Sequence, residues 1–317
     1  MAEEAGHREV PRPLMPRLRA WKGYSLDLTL KPSFVRALFE RRDSAYVKLA
    51  GRSRGAIVYQ EGEWVVGEGC SAEELLHWSG LWLDRLAVEE RAPLLAAAHR
   101  GLGLSVDPYD RHLIFVAVFL SRATSWETNV LRWCREIFAR AESLDELMEL
   151  DYASIGKSFQ LRQLGSALRG YAEVADLKDP WELRRALLRI ANVGPKLADA
   201  YLLFAGIDSS AAPIDRHAIR MSARLGIEGY PPRKELCTVY SCESCPRSPL
   251  CLRARLFNLY GEVAGWVQTA FYVHDTQYCS KGLCESCWFS AYCRLREGGR
   301  REGRLSKLQS ALRAKQC

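Results

Sequence analysis

Residues 179–220, DPWELRRALLRIANVGPKLADAYLLFAGIDSSAAPIDRHAIR, constrain this chain more than any other stretch. Asp179 is placed to cap a helix whose first turn holds Pro180 and Glu182, residue types favoured at that end. The apolar spacing carries that helix to about Ile190. Asn192-Val193-Gly194 then makes a tight turn, and Pro195 opens a second helix. Two helices joined by so short a glycine-containing turn form a helix-hairpin-helix. The first N–H groups of the second helix have no partner within it. They make an anion site suited to a DNA phosphate.

The rest of the chain predicts a mainly α protein with a small N-terminal antiparallel sheet. GYSLDLTL (23–30) alternates Tyr24, Leu26, Leu28 and Leu30 with other residues and reads as a strand. AYVKLA, GAIVYQ and EWVVGE are further short β-rich runs, with a hairpin turn at Glu61–Trp64. Trp21, Trp64, Trp78 and Trp82 are expected in the core of this unit. Ser71 with Glu74 three residues on has the form of a capping box, and the pattern is helical from there. The segment 111–141 reads as two helices joined near Ser121–Trp126, with Phe115–Leu120 apolar all round and therefore buried. Helices follow over 144–175, 180–205 and 252–274.

At 317 residues there is room for two domains, or one large domain with an appendage. The expected divisions are an N-terminal α/β domain (1–105), a helical domain with the hairpin (106–228), a Cys-rich region (229–296) and a basic tail (297–317). No run of eighteen apolar residues predicts a membrane span. The N-terminal residues lack an apolar signal core, so an intracellular place, cytoplasmic or nucleoid-associated, is expected. The net charge of +7 suits a polyanionic partner without demonstrating one.

Eight of the eleven cysteines form two sets. Cys237, Cys242, Cys245 and Cys251 are spaced C-x4-C-x2-C-x5-C. Cys279, Cys284, Cys287 and Cys293 repeat that spacing 42 residues on, and both sets contain CESC. In an intracellular chain such sets point to metal or iron–sulfur ligation before disulfides. Cys70 and Cys134 stand alone and are expected buried and inert, and Cys317 is also isolated.

NVGPK (192–196), the apolar ADAYLLF (198–204) and PIDRHAIR (213–220), in that order, resemble the signature of the helix-hairpin-helix DNA glycosylases, which include endonuclease III and 8-oxoguanine glycosylase. The resemblance covers roughly Asp107 to Cys293. It implies a glycosylase helical core, Lys196 as nucleophile and Asp215 as catalytic aspartate. It also implies that Asn192, Val193 and Gly194 grip DNA. Asn192 stands where the family has its first hairpin glycine, and asparagine tolerates positive φ better than most residues. The residue types suit the chemistry. Breaking the bond from a base to C1′ develops positive charge that a carboxylate stabilises. A neutral lysine amine attacking C1′ forms a Schiff base that permits strand cleavage by β-elimination. His217, two residues past Asp215, is expected to make a structural hydrogen bond.

LSRATSWETNV (120–130) is similar to the family segment that fills the gap left by a flipped base, with Arg122 in the wedge position. Trp126 and Phe204 are placed near the expected pocket as candidates to stack on that base. The N-terminal strands look like the extra antiparallel domain of the 8-oxoguanine and alkyladenine branches. The 279–293 set resembles the C-terminal iron–sulfur loop of endonuclease III, with a first gap of four where the family has six. That likeness implies a [4Fe-4S] cluster, and four thiolates also suit one zinc ion. The 237–251 set has no family counterpart, leaving a second [4Fe-4S] cluster, zinc or disulfides open. The tail 294–315 carries eight lysines and arginines able to meet phosphates.

The sequence thus predicts a monomeric DNA glycosylase with AP lyase activity, acting on double-stranded DNA with a damaged base. The alternatives are a monofunctional glycosylase for mismatched or deaminated bases, or a non-catalytic hairpin module that only binds DNA. An electron-transfer protein would use the cysteines but leave the hairpin without a role.

Overall fold

The computed structural model describes residues 15–294. The basic tail, Cys317 and all but Arg294 of its cations lie outside the described residues. Five strands form one antiparallel sheet: β1 (Arg17–Arg19), β2 (Phe39–Arg42), β3 (Ala45–Lys48), β4 (Ile57–Glu61) and β5 (Trp64–Glu68). Their order is β1-β5-β4-β3-β2, and Glu61 pairs with Trp64 across the expected hairpin.

GYSLDLTL departs from its predicted strand. Leu26–Leu30 is a short helix, α1, capped by Ser25, whose side chain accepts from the Leu28 amide. Leu26, Thr29 and Leu30 are the buried residues, a helical i, i+3, i+4 set. Leucines at every second position also contain an i, i+4 pair, so the serine cap decides the outcome. Trp64 departs as well: it is 41% exposed, whereas Trp78 is fully buried.

The remaining chain is helical. α2 (Ala72–Trp78) begins in the expected Ser71/Glu74 capping box. α3 (Arg85–Arg91) and α4 (Pro93–Ala98) lead to α5 (Arg111–Leu120), buried continuously from Leu113 to Leu120. A π-helical turn (Trp126–Val130) follows the predicted break and runs into α6 (Leu131–Phe138). Then come α7 (Leu144–Glu149), α8 (Phe159–Ala172), α9 (Pro180–Arg189), α10 (Pro195–Phe204), α11 (Arg216–Arg224) and α12 (Lys234–Cys237). The helix predicted over 252–274 is two helices, α13 (Leu252–Tyr260) and α14 (Ala264–Gln277). Gly261 ends the first at φ 58, ψ −132, a conformation that a Cβ would strain.

α5 is the hub, packing against α8 and α10. Phe115 on α5 stacks on Tyr171 at 4.4 Å, and the Tyr171 and Tyr201 hydroxyls bond each other at 2.8 Å. One continuous buried cluster runs from Ala20 to Phe289, so the sheet unit and the helical unit share a core. A buried ion pair helps join them. Lys48 on β3 bonds Asp107 at 3.2 Å and also Asp110, and Trp78 Nε1 donates to Asp107 at 2.9 Å.

Candidate active site and cysteine centres

The hairpin forms as its residue types require. Asp179 Oδ1 accepts from the Glu182 amide at 2.7 Å and starts α9. After Ile190 the chain turns through Asn192 at φ 64. Val193 is buried and anchors the turn, while Asn192 faces solvent. Gly194 precedes α10, and no side chain caps that helix. A Cβ built on Gly194 would meet nothing within 4 Å. The uncapped amides at this end therefore lie open to an anion.

Lys196 sits in the first turn of α10, followed by an unbroken buried run from Leu197 to Phe204. Burial pushes its amine below the ordinary 10.5, the charge of Asp215 opposes that shift, and Arg216 adds to it. The expected catalytic pair is therefore within electrostatic reach. Asp215 ends the buried stretch Ala211–Ile214 and caps α11, with Oδ1 accepting from the Ala218 amide at 2.7 Å. Capping fixes one carboxylate oxygen and leaves the group beside a partly desolvated amine, a workable arrangement for nucleophile and charge stabiliser.

His217 makes the structural bond expected of it. Its Nδ1 donates to Asp275 Oδ2 at 2.7 Å, and its Nε2 accepts from Arg216 Nε at 3.2 Å. Asp275 is fully buried and also receives Arg220, Arg224 and Ser280. Burial raises the Asp275 carboxyl, and the His217, Ser280 and Arg220 contacts outweigh it, so the group is held below the usual carboxylate range. The sequence reading missed Asp275. Its signal was a lone acid inside the apolar VQTAFYVHD run, four residues before Cys279. Tyr272, one turn earlier on α14, was also missed. Its ring packs edge-on against His217, and burial together with the Asp215 charge raises its hydroxyl.

The stacking and wedge candidates are placed less simply. Phe204 is buried at the far end of α10, about 12 Å along the helix from Lys196. It packs with Phe34, which also meets the half-buried Trp126 at 5.0 Å. Phe204 is thus buried in the core beside Phe34. Arg122 folds back on its own helix. Its guanidinium lies 3.8 Å from the Phe119 ring centroid and its Nε donates to the Phe119 carbonyl at 2.9 Å.

No disulfide joins the ten described cysteines, and Cys70 and Cys134 are buried. In the 279–293 set, Cys279 begins a short 3-10 turn after α14 and lies 3.8 Å from the Met221 sulfur. Cys287 Sγ is 3.2 Å from His274 Nε2. Cys287 and Cys293 are near enough to act on Cys279 by charge, and Cys284 on Cys287. In the 237–251 set, all four cysteines line one cavity with Arg184, Tyr240 and Arg253. Among the described residues, no three His, Cys, Asp or Glu side chains converge on a single metal-sized point. Each set supplies four cysteines, the donor number and chemistry that a [4Fe-4S] cluster or one zinc ion takes.

No family model matches the sequence, and no curated protein matches it. Solved structures match over most of the chain. The 8-oxoguanine glycosylase/lyase of Clostridium acetobutylicum, in complex with double-stranded DNA containing cytosine opposite 8-oxoguanine, is 15% identical with a TM-score of 0.63, covering 83% of this chain and 98% of that one. The 3-methyladenine DNA glycosylase of Archaeoglobus fulgidus is 12% identical with a TM-score of 0.58, again covering 83% of this chain and 98% of that one. The chain has the fold of the helix-hairpin-helix DNA glycosylases.

Proposed function

We propose that this chain is a DNA glycosylase with AP lyase activity, excising a damaged base from double-stranded DNA. The observation that carries the reading is the half-buried Lys196, its amine lowered by burial, within reach of the Asp215 charge. A module that only binds DNA needs neither a desolvated lysine nor a carboxylate beside it. The open amides at Gly194 and Lys196 take a backbone phosphate. Asp215 stabilises positive charge developing at C1′, and the Lys196 amine attacks that carbon with departure of the base. The resulting Schiff base permits β-elimination. Neighbours of the same fold that are glycosylases, one of them a glycosylase/lyase bound to damaged DNA, support the assignment.

Cys279, Cys284, Cys287 and Cys293 would hold a [4Fe-4S] cluster that closes the chain after α14 and braces α11 through Asp275. The group would supply structural cross-linking there. Displacing a base from C1′ by an amine, and the β-elimination that follows, involve no electron transfer.

The experiment is a panel of duplex oligonucleotides, each with one lesion, scored separately for base release and strand nicking. Release with nicking on one lesion supports the reading. Release without nicking assigns a monofunctional enzyme, and binding without release assigns the non-catalytic module.

A further inference from the structure

The first cysteine set takes no part in the proposed reaction, yet it is built into the base of the hairpin. Asp199, fully buried on α10, binds two buried arginines. Arg184 of α9 approaches it at 2.7 and 3.0 Å, and Arg253 of α13 at 2.9 Å. Each guanidinium turns another N–H toward a thiol. Arg253 Nη1 is 3.1 Å from Cys242 Sγ, and Arg184 Nη2 is 3.9 Å from Cys237 Sγ. The other acid facing them is Asp208, 4.0 Å from Arg253 and itself bonded to Ser210. Trp181 covers the pair, its ring centroid 4.7 Å from the Arg253 guanidinium.

Buried guanidinium N–H groups aimed at neutral sulfur make poor hydrogen bonds, whereas thiolates make charge-assisted ones. A disulfide carries no charge and would leave these N–H groups facing apolar sulfur. A four-thiolate cubane is dianionic and gives both arginines a second anionic partner. The spacing is that of the 279–293 set. We propose that Cys237, Cys242, Cys245 and Cys251 hold a second iron–sulfur cluster, charge-matched by Arg184 and Arg253 and braced through Asp199 against both helices of the hairpin. Transfer of a preformed cluster from a thiolate donor breaks four iron–thiolate bonds there and forms four here, the four thiol protons passing to the released donor thiolates, with no change of oxidation state. The brace continues at Lys234 on α12, whose Nζ donates to the Ile190 carbonyl at 3.4 Å, just before the hairpin turn. Loading this site therefore tightens the segment that carries Lys196.

The test needs no DNA, so its failure is separate from failure of the glycosylase reading. Iron and acid-labile sulfide are measured in anaerobically prepared full-length protein. About eight irons per chain are expected in the unaltered protein, and about four in either Cys242→Ser/Cys245→Ser or Cys284→Ser/Cys287→Ser. Native mass spectrometry of the unaltered protein gives the same count where a variant fails to fold. In the Cys284→Ser/Cys287→Ser background, Arg253→Met should move the remaining cluster's midpoint potential negative, and Arg253→Lys should restore most of it. Amides at 190–196 should exchange faster once the first set is emptied. About four irons in the unaltered protein, all lost in Cys284→Ser/Cys287→Ser, would overturn the proposal. So would one zinc at the first set, or disulfides within it. An unchanged potential in Arg253→Met overturns the charge matching.

Discussion

His217 Nδ1 lies 2.7 Å from Asp275 Oδ2, and this contact joins the helix that Asp215 caps to the helix that ends beside Cys279. Replacing Asp275 by Ala strands His217, Arg220, Arg224 and Ser280 together. The expected cost is about 3–5 kcal/mol, the scale of breaking a buried ion pair from one side. Denaturant unfolding of the two proteins measures it, and a change within ±0.5 kcal/mol, the scale of an ordinary surface substitution, would remove Asp275 from the account.

The same group sets an acid dependence. The folded Asp275 carboxyl is held below its ordinary value, so the unfolded chain binds its proton first as pH falls. Its contribution is fully present above the ordinary carboxylate range near 3.8 and is lost as pH drops through the lower folded value. Asp275→Asn should flatten that part of the stability–pH curve. A variant curve parallel to that of the unaltered protein contradicts the assignment.

The hairpin turn has its own test. Asn192 holds φ 64, where a Cβ without a local polar group costs about 1–2 kcal/mol. Asn192→Ala should lower stability by that amount, while Asn192→Gly should leave it nearly unchanged. Thermal unfolding separates the two. Equal losses would mean that the asparagine side chain, and not the backbone conformation, matters.

Much of this was legible in the sequence because it is local. Asp179, Ser71 with Glu74, and Asn192 each act within a few residues, and each does what its type predicts. The 23–30 segment misled because its leucine spacing fits two periodicities, and Ser25 chose the helix. The Asp199 and Asp275 ion clusters were not legible. Their partners lie up to 54 and 58 residues away, and only the packing of α9, α10, α11, α13 and α14 brings them together.

Removing the carboxylate at 215 should separate binding from chemistry. Asparagine is also a good helix cap, so Asp215→Asn keeps the bond to the Ala218 amide. Base release should fall at least about a hundredfold, the scale of losing one main electrostatic stabiliser, while DNA affinity stays within a few-fold. Equal losses in both would show a structural carboxylate.

The most direct measurement is borohydride trapping on DNA carrying a substrate lesion or an abasic site. The unaltered protein should become covalently linked, and Lys196→Ala should give no adduct. The trapping rate should rise with pH as the amine loses its proton and level off below the ordinary 10.5, because burial lowers the folded value. Full cross-linking by Lys196→Ala would contradict the central claim, since the nucleophile would then lie elsewhere.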